Sequence, residues 1–185
     1  MQFIIVLGSR NPAGQTARAA QAMRDGLTAA GAEGELVYLP KLRIERCRQC
    51  NDNGWGTCRP EGQCVIEDDL ASVVERIRAA DIVVFATPVY FGDQSESMRA
   101  FTDRLRRTCR TQEHRQGIAG KPAVGICVAG GGGGGAPSCT VSLEKVLRTC
   151  GFDVVDMVPA RRQNLDHKTE ILETTGRWLA TGPTS

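Results

Sequence analysis

The sequence predicts an α/β fold in which five parallel strands form one sheet with helices on both faces. Five short apolar runs alternate along the 185 residues with stretches in which apolar residues recur at helical spacing. The runs are apolar throughout, as expected of strands that helices cover on both sides. Right-handed crossovers between parallel strands then favour a doubly wound arrangement.

The first half of the chain supplies two strands and two helices. Residues 3–7 form an apolar run, and a polar loop leads from it into an amphipathic helix that Gly31 ends. Residues 35–38 form the second strand. After a segment rich in cysteine, Asp68 and Asp69 are placed to cap the second helix.

The second half supplies three strands and three helices. Residues 82–86, 123–129 and 154–158 are the strands, and apolar residues centred on Phe101, Leu147 and Leu172 mark the helices. Five strands favour the order 2-1-3-4-5, the flavodoxin-like arrangement. Because the sequence contains no repeat and no linker, we expect a single domain over residues 1–185, with a cysteine-rich loop at 47–64.

Composition excludes several classes of protein. The 23 basic and 21 acidic residues give a net charge of +2, which argues against a nucleic-acid binder. No apolar run approaches the roughly 20 residues of a membrane span. The chain begins directly with its first predicted strand, so we expect no signal peptide and a cytoplasmic location.

In this fold ligands bind beyond the carboxyl ends of the strands, where the loops after strands one, three and four meet. The first loop, residues 8–16, offers two hydroxyls, an amide, a guanidinium and the N–H groups of a helix start, which suit a phosphate. Gln15 stands where a Walker A loop needs lysine, which favours a phosphate monoester over a nucleoside triphosphate. The alternative is an ordinary turn with a threonine cap.

The other two loops suit a flat ring. Residues 87–93 contain Tyr90 and Phe91, which could flank a ring, although both could instead fill the seam between sheet and helix. Residues 130–135 are six consecutive glycines, which let the backbone approach a planar ligand closely. The alternative for the glycines is a flexible turn.

Three segments carry a family resemblance: G-S-R-N-P-A-G-Q-T, T-P-V-Y-F-G-D-Q-S-E-S-M-R-A-F-T-D-R and the glycine run. They resemble the flavodoxin-like NAD(P)H-dependent FMN reductases, over roughly residues 3 to 150. The resemblance implies bound FMN, NAD(P)H as co-substrate, an unidentified electron acceptor, and a homodimer or homotetramer. It implies that the phosphate is held by Ser9, Arg10, Gln15, Thr16 and Ala17, that Pro88, Val89, Tyr90, Phe91 and Gly92 line the isoalloxazine ring, and that Gly130, Gly131 and Gly132 border its pyrimidine edge. The cofactor carries the reaction, so no catalytic acid or base is expected.

Four of the eight cysteines, Cys47, Cys50, Cys58 and Cys64, lie within 18 residues. Four thiolates on one loop can hold a [4Fe–4S] cluster or a tetrahedral zinc. The iron–sulfur flavoprotein branch of the same superfamily has a compact cysteine motif here, and G-Q-C-V-I-E-D-D-L resembles its end. The third cysteine of that motif would fall at Asn53, so Cys58 would have to replace it. The alternatives are no metal, zinc, or a redox disulfide.

Two further functions are open at this stage. One is an electron-transfer flavoprotein that does not itself oxidise NAD(P)H, and the other is a zinc-stabilised binding domain. Among the remaining cysteines, we expect Cys127 and Cys150 in the core. Arg104, Arg106, Arg107 and Arg110 are interpreted as a solvated helix end.

Overall fold

A computed structural model describes residues 1–182, so the last three residues of the expected domain lie outside the described part. Within it, the strands are β1 (Gln2–Leu7), β2 (Glu33–Tyr38), β3 (Ile82–Tyr90), β4 (Asp93–Gln94), β5 (Pro122–Ala129) and β6 (Asp153–Arg161). The α-helices are α1 (Gln15–Ala29), α2 (Leu70–Ala79), α3 (Glu96–Thr108), α4 (Ala136–Cys150) and α5 (Leu165–Ala180). None of these helices is both long and apolar enough to cross a membrane.

The strand order confirms the flavodoxin-like prediction. The sheet runs β2-β1-β3-β5-β6, and every neighbouring pair along this path is parallel. These are the five predicted strands in the predicted order. The carboxyl ends of β1, β3 and β5 therefore open toward the same edge, with β1 and β3 adjacent at the point where the winding reverses.

The predicted loop at 87–93 is wrong in its extent. β3 continues through Tyr90, and the short strand β4 pairs with it in antiparallel fashion, Val89 opposite Gln94 and Tyr90 opposite Asp93. Thr87 and Pro88 still pair with β5, and β-branched and aromatic residues fit a pleated surface well. The loop is therefore the end of a hairpin.

The core has two layers, one on each face of the sheet. α2, α3 and α4 cover one face, and their buried side chains include Val74, Phe101 and Leu147. α1 and α5 cover the other face, where Met23 and Leu172 are fully buried. This division into two covered faces is what the apolar central strands β1, β3 and β5 predict.

α1 and α5 cross at very close range. A Cβ atom added at Gly26 would lie 2.0 Å from the Glu173 carbonyl oxygen, and one added at Gly176 would lie 2.5 Å from the Met23 carbonyl oxygen. Both separations are far below van der Waals contact. Glycine at these two positions therefore lets the backbones of the two helices touch.

Candidate functional site

The loop between β1 and α1 presents a helix N-terminus with free N–H groups. The Asn11 side chain accepts a hydrogen bond from the Ala13 N–H at 2.9 Å, which makes the loop compact. Gly14 is the N-cap of α1, no side chain caps the helix, and its first turn holds no acidic residue. The threonine-capped turn of the alternative interpretation is therefore absent from this described loop. The uncapped N–H groups and the helix dipole together favour an anion.

The β3–β4 hairpin turns through Phe91 and Gly92. Their φ angles are +52° and +81°, the left-handed conformations that a two-residue type I′ hairpin turn requires. The Phe91 side chain is fully exposed and Tyr90 is half-exposed. Neither ring fills the seam between sheet and helix, so that alternative is wrong for Phe91 and at most partial for Tyr90.

The glycine loop lies against this hairpin. Gly135 has a φ of +81° and precedes α4, and a Cβ atom there would lie 2.6 Å from the Gly92 Cα. Only glycine fits so near the hairpin backbone at a left-handed φ. The Gly133 N–H donates to the Gly130 carbonyl at 2.8 Å and closes a turn within the run. The glycines therefore form a folded loop rather than a free linker.

The three loops together line one open cleft of about 410 Å³. That volume is within the range of small-molecule sites. Eight predicted cofactor residues line it: Ser9, Gln15, Thr16, Pro88, Val89, Tyr90, Gly130 and Gly131. Val128, Ala129 and Gly134 also line it and were not predicted, although they directly flank or belong to the predicted glycine segment.

The other five predicted cofactor residues do not line the cleft. Ala17 is fully buried and packs in the core, so only its backbone N–H could serve an anion at the helix start. Arg10, Phe91 and Gly132 are exposed, and Gly92 contacts the glycine loop through its backbone. The cleft is therefore built from one half of the hairpin, with its tip outside.

The four clustered cysteines line a second, smaller pocket. Cys47, Cys50, Cys58 and Cys64 all contribute to it, and its volume of about 20 Å³ is enough for roughly one water molecule. None of the four forms a disulfide. Among residues 1–182, no three histidines, cysteines or carboxylates are placed around a single metal ion.

The loop that carries these cysteines has an unusual backbone. Gln49 and Asn51, on either side of Cys50, have φ angles of +51° and +58°. Non-glycine residues adopt this region at a cost, and such strain is typical of functional sites. The Asn53 side chain accepts a hydrogen bond from the Trp55 N–H at 3.0 Å. Asn53 therefore shapes the turn at the position where the compact motif has its third cysteine.

Two arginines, one in the last turn of α3 and one just after it, hold the cysteine loop against this helix. The guanidinium groups of Arg107 and Arg110 stack on the Trp55 ring, 4.6 and 5.0 Å from its centroid. Arg107 also donates to the Gly54 carbonyl at 2.7 Å. The expectation of a solvated helix end is wrong for Arg107, which is partly buried against the aromatic ring and the loop backbone. Arg106 and Arg110 are exposed, as expected, although Arg110 also stacks on the ring.

Arg104 departs furthest from that expectation. Its side chain is 1% exposed and forms a two-pronged ion pair with Asp68, whose side chain is fully buried. Arg104 also donates to the Glu45 and Ile66 carbonyls, which lie before Cys47 and after Cys64. It therefore joins both ends of the cysteine loop to α3.

Asp68 is part of the same contact rather than a simple helix cap. Its carboxylate accepts hydrogen bonds from the Glu45 N–H at 2.8 Å and the Leu70 N–H at 3.2 Å. Burial by itself raises the pKa of this carboxyl, but Arg104 and the two backbone donors outweigh it and lower the net pKa. The N-cap residue is Asp69, whose side chain does not cap the helix.

The comparisons with known proteins identify the family of the chain. The family profile described as NADPH-dependent FMN reductase matches residues 1–164. The chain belongs to the NADPH-dependent FMN reductase family. The match includes all three loops of the cleft and the whole cysteine segment, and it ends just before α5.

This FMN reductase family member is similar to curated iron–sulfur flavoproteins. It is 30% identical over 131 residues to one from Methanocaldococcus jannaschii, covering 71% of this chain and 65% of the relative. It is 30% identical over 128 residues to one from Methanosarcina thermophila, covering 68% and 61%. The chain thus spans less than two thirds of the length of each relative.

Solved structures confirm the fold. An NAD(P)H:quinone oxidoreductase from Methanothermobacter marburgensis superposes with a TM-score of 0.72 at 22% identity, covering 100% of this chain and 98% of that one. A flavodoxin from the domain Archaea superposes with a TM-score of 0.62 at 14% identity, covering 98% and 97%. Both superpositions show that this family member shares its fold with these structures.

The four cysteines outside the loop pair up in the core. Cys109, Cys127, Cys139 and Cys150 are all fully buried, which confirms the expectation for Cys127 and Cys150. Contact with Cys109, together with burial, raises the pKa of the Cys150 thiol, and contact with Cys127 does the same for Cys139. We expect Cys139 and Cys150 to remain protonated and unreactive.

Proposed function

We propose that this chain is an FMN-dependent oxidoreductase whose flavin occupies the three-loop cleft. One observation carries the proposal: the uncapped N-terminus of α1 opens into the same cleft as the end of β3 and the glycine loop. A phosphate monoester needs the free N–H groups at the start of α1, and a flat ring needs the surface between the end of β3 and the glycine loop. When bound, FMN would accept a hydride from NAD(P)H and pass electrons to an acceptor.

The chain's own residues have distinct roles in this proposal. Ser9 and Thr16 offer hydroxyls to the phosphate, and the free N–H groups at the start of α1 offer backbone donors. Pro88 and Tyr90 would contact one side of the isoalloxazine ring of FMN, while Gly130 and Gly131 would offer N–H groups to the polar edge of that ring. The half-exposed Tyr90 leaves the ring accessible to a nicotinamide from solvent.

A charge placed at the helix start tests the proposal directly. Gln15→Glu changes one amide to a carboxylate at the first residue of α1. A negative charge there favours the helix dipole, so folding should be unharmed, while it repels a phosphate. We expect FMN to bind at least tenfold more weakly, which is about 1.4 kcal/mol.

Gln112→Glu is the control, because it makes the same change at an exposed residue that precedes β5, at the opposite edge of the sheet from the cleft. Titration of FMN fluorescence with each protein measures the affinity. Wild-type protein that does not bind FMN contradicts the proposed function. Equal binding by both variants contradicts the proposed phosphate position.

We further propose that Cys47, Cys50, Cys58 and Cys64 bind a [4Fe–4S] cluster. Support comes from the four thiols that line one pocket, and from the two similar proteins named as iron–sulfur flavoproteins. Since the pocket holds only about one water molecule, the loop would have to open to take up the cluster. Around a cubane each thiolate binds a different iron, so the sulfurs need not converge on one point as they do around zinc. A bound cluster would supply one-electron transfer.

Anaerobic reconstitution distinguishes the proposals. Four irons and four sulfides per chain, lost in Cys58→Ala, support the cluster with Cys58 as a ligand. Stoichiometric zinc without flavin would instead support a zinc-stabilised binding domain. FMN-loaded protein that does not oxidise NAD(P)H would support an electron-transfer flavoprotein. Light scattering tests the expected homodimer or homotetramer.

A further inference from the structure

A buried hydroxyl joins the first loop of the cleft to the end of β3. Ser95 is 2% exposed and is the N-cap of α3. Its hydroxyl donates to the Gly8 carbonyl at 2.8 Å, and its backbone N–H donates to the Thr87 hydroxyl at 3.1 Å. Because Gly8 follows β1 and Thr87 lies in β3, Ser95 binds both strands where they reach the cleft.

Gly8 is held by close packing as well as by this hydrogen bond. A Cβ atom added there would lie 2.5 Å from the Ser95 Oγ and 3.2 Å from the Thr87 Oγ1. The first of these separations is far below van der Waals contact, so only glycine fits. The two buried hydroxyls therefore fix how near the first loop lies to β3.

The bond to Gly8 has a direct effect on the next residue, Ser9. The Gly8 N–H donates to the Ala86 carbonyl at 2.8 Å, so Ser95 holds the first peptide group beyond the paired part of β1. This peptide is trans, and in a planar trans peptide the C=O and the N–H point in opposite directions. Fixing the Gly8 carbonyl therefore also fixes the Ser9 N–H, and Ser9 lines the cleft.

We infer that Ser95 is a positioning residue that holds the phosphate side of the cleft in register with its ring side. Its role rests on the proposed function, in which Ser9 contacts the phosphate and Pro88, the neighbour of Thr87, contacts the ring. Phosphate and ring belong to one molecule, so both bind at full strength only when the two sides lie at the right separation. Ser95 does not line the cleft itself, so it acts through Gly8 and Thr87.

Two flavins separate this role from a general contribution to folding. Riboflavin has the same ring as FMN but no phosphate, and titration of flavin fluorescence measures the affinity for each. Ser95→Ala removes the hydroxyl, and we expect it to weaken FMN binding at least tenfold while riboflavin binding changes less than twofold. A variant that only loosens the fold weakens both flavins alike, so an unchanged ratio of the two affinities overturns the inference.

Thr108→Val is the control for the loss of a buried hydroxyl. Thr108 lies at the other end of α3, is 5% exposed, and donates through its hydroxyl to the Leu105 carbonyl at 2.9 Å. The change removes a hydroxyl from the same helix without reaching the cleft, so the ratio should equal that of wild type. A fall as large as in Ser95→Ala overturns the inference, because the position of the hydroxyl at the cleft would then not matter.

Thr87→Val covers the case in which Ser95→Ala does not fold, since that variant also loses the oxygen that accepts from the Met98 N–H at the start of α3. Valine has the shape of threonine and favours a strand. Thr87→Val releases Ser95 from β3 but keeps its bonds to Gly8 and Met98, so FMN binding should weaken at least threefold relative to riboflavin. A ratio equal to that of wild type overturns the inference here too.

The wild-type titration separates the two ways in which this role can fail. Wild-type protein that binds neither flavin contradicts the proposed function. Wild-type protein that binds FMN, with unchanged ratios in Ser95→Ala and Thr87→Val, overturns only the role of Ser95.

Discussion

The ion pair between Asp68 and Arg104 should be a large single contribution to the stability of the cysteine loop. Asp68→Asn removes the negative charge but keeps the size of the side chain, and it leaves a guanidinium that is 1% exposed without its counterion. Removing one partner of a buried pair costs about 3–5 kcal/mol, because the remaining charge is not compensated. With an m-value of about 3 kcal/mol per M, the urea midpoint should fall by about 1–2 M.

Urea unfolding followed by circular dichroism at neutral pH measures this loss. Glu173→Gln is the control, since its partner Arg177 and Glu173 itself are about half exposed, and such pairs contribute less than about 1 kcal/mol. If the urea midpoint of Asp68→Asn falls no further than that of Glu173→Gln, the buried ion pair does not stabilise the fold.

The pH dependence of stability gives an independent check on the same carboxylate. The pKa of Asp68 is lower in the folded chain than in the unfolded chain. Its contribution is therefore complete above its unfolded pKa, about 3.9, and is lost as the pH falls through the lower folded pKa. The difference in stability between wild type and Asp68→Asn should be constant from pH 7 to pH 5 and should shrink below about pH 4.

Three further substitutions test the cleft, the hairpin and the core. Gly135→Ala places a Cβ 2.6 Å from the Gly92 Cα at a φ of +81°, so it should cost about 1–3 kcal/mol and weaken FMN binding, whereas Gly132→Ala, which has no atom within 4 Å and does not line the cleft, should do neither. Phe91→Asn should stabilise the chain by up to about 1 kcal/mol, since the ring makes no packing contact at full exposure and asparagine suits a φ of +52°; a loss of stability would contradict this. Cys139→Ser should lower the free energy of unfolding by about 1–3 kcal/mol in the same urea assay, because a hydroxyl replaces a fully buried thiol; no loss would contradict its place in the core.

The strand order could be predicted because β1, β3 and β5 are buried apolar runs and the parallel topology leaves few alternatives. The same logic located the cleft, since loops after β1, β3 and β5 must meet at one edge. It failed at Thr87–Tyr90, where a local turn signal at Phe91-Gly92 extends β3 into a hairpin. In that segment, strand pairing decided the structure and loop composition did not.

The cysteine pocket could be predicted only in part. Spacing showed that four thiols share one loop, but the role of Arg104 depends on Asp68, which is 36 residues earlier in the chain. Four arginines within seven positions look alike in sequence, and only their partners distinguish a buried one from a solvated one. The contacts of Trp55 with Arg107 and Arg110 could not be predicted either, because these arginines lie more than 50 residues later in the chain.

The close packing of α1 and α5 at Gly26 and Gly176 affects the cleft from a distance, because α1 begins in the cleft. Gly26 lies about 16 Å along the axis of α1 from Gln15, which is at the start of the same helix. A methyl group at Gly26 would push against the Glu173 carbonyl and pivot the far end of α1, together with its free N–H groups. The orientation of the α1 N-terminus, where we propose that the FMN phosphate binds, therefore depends on the absence of side chains at Gly26 and Gly176, where α1 packs on α5.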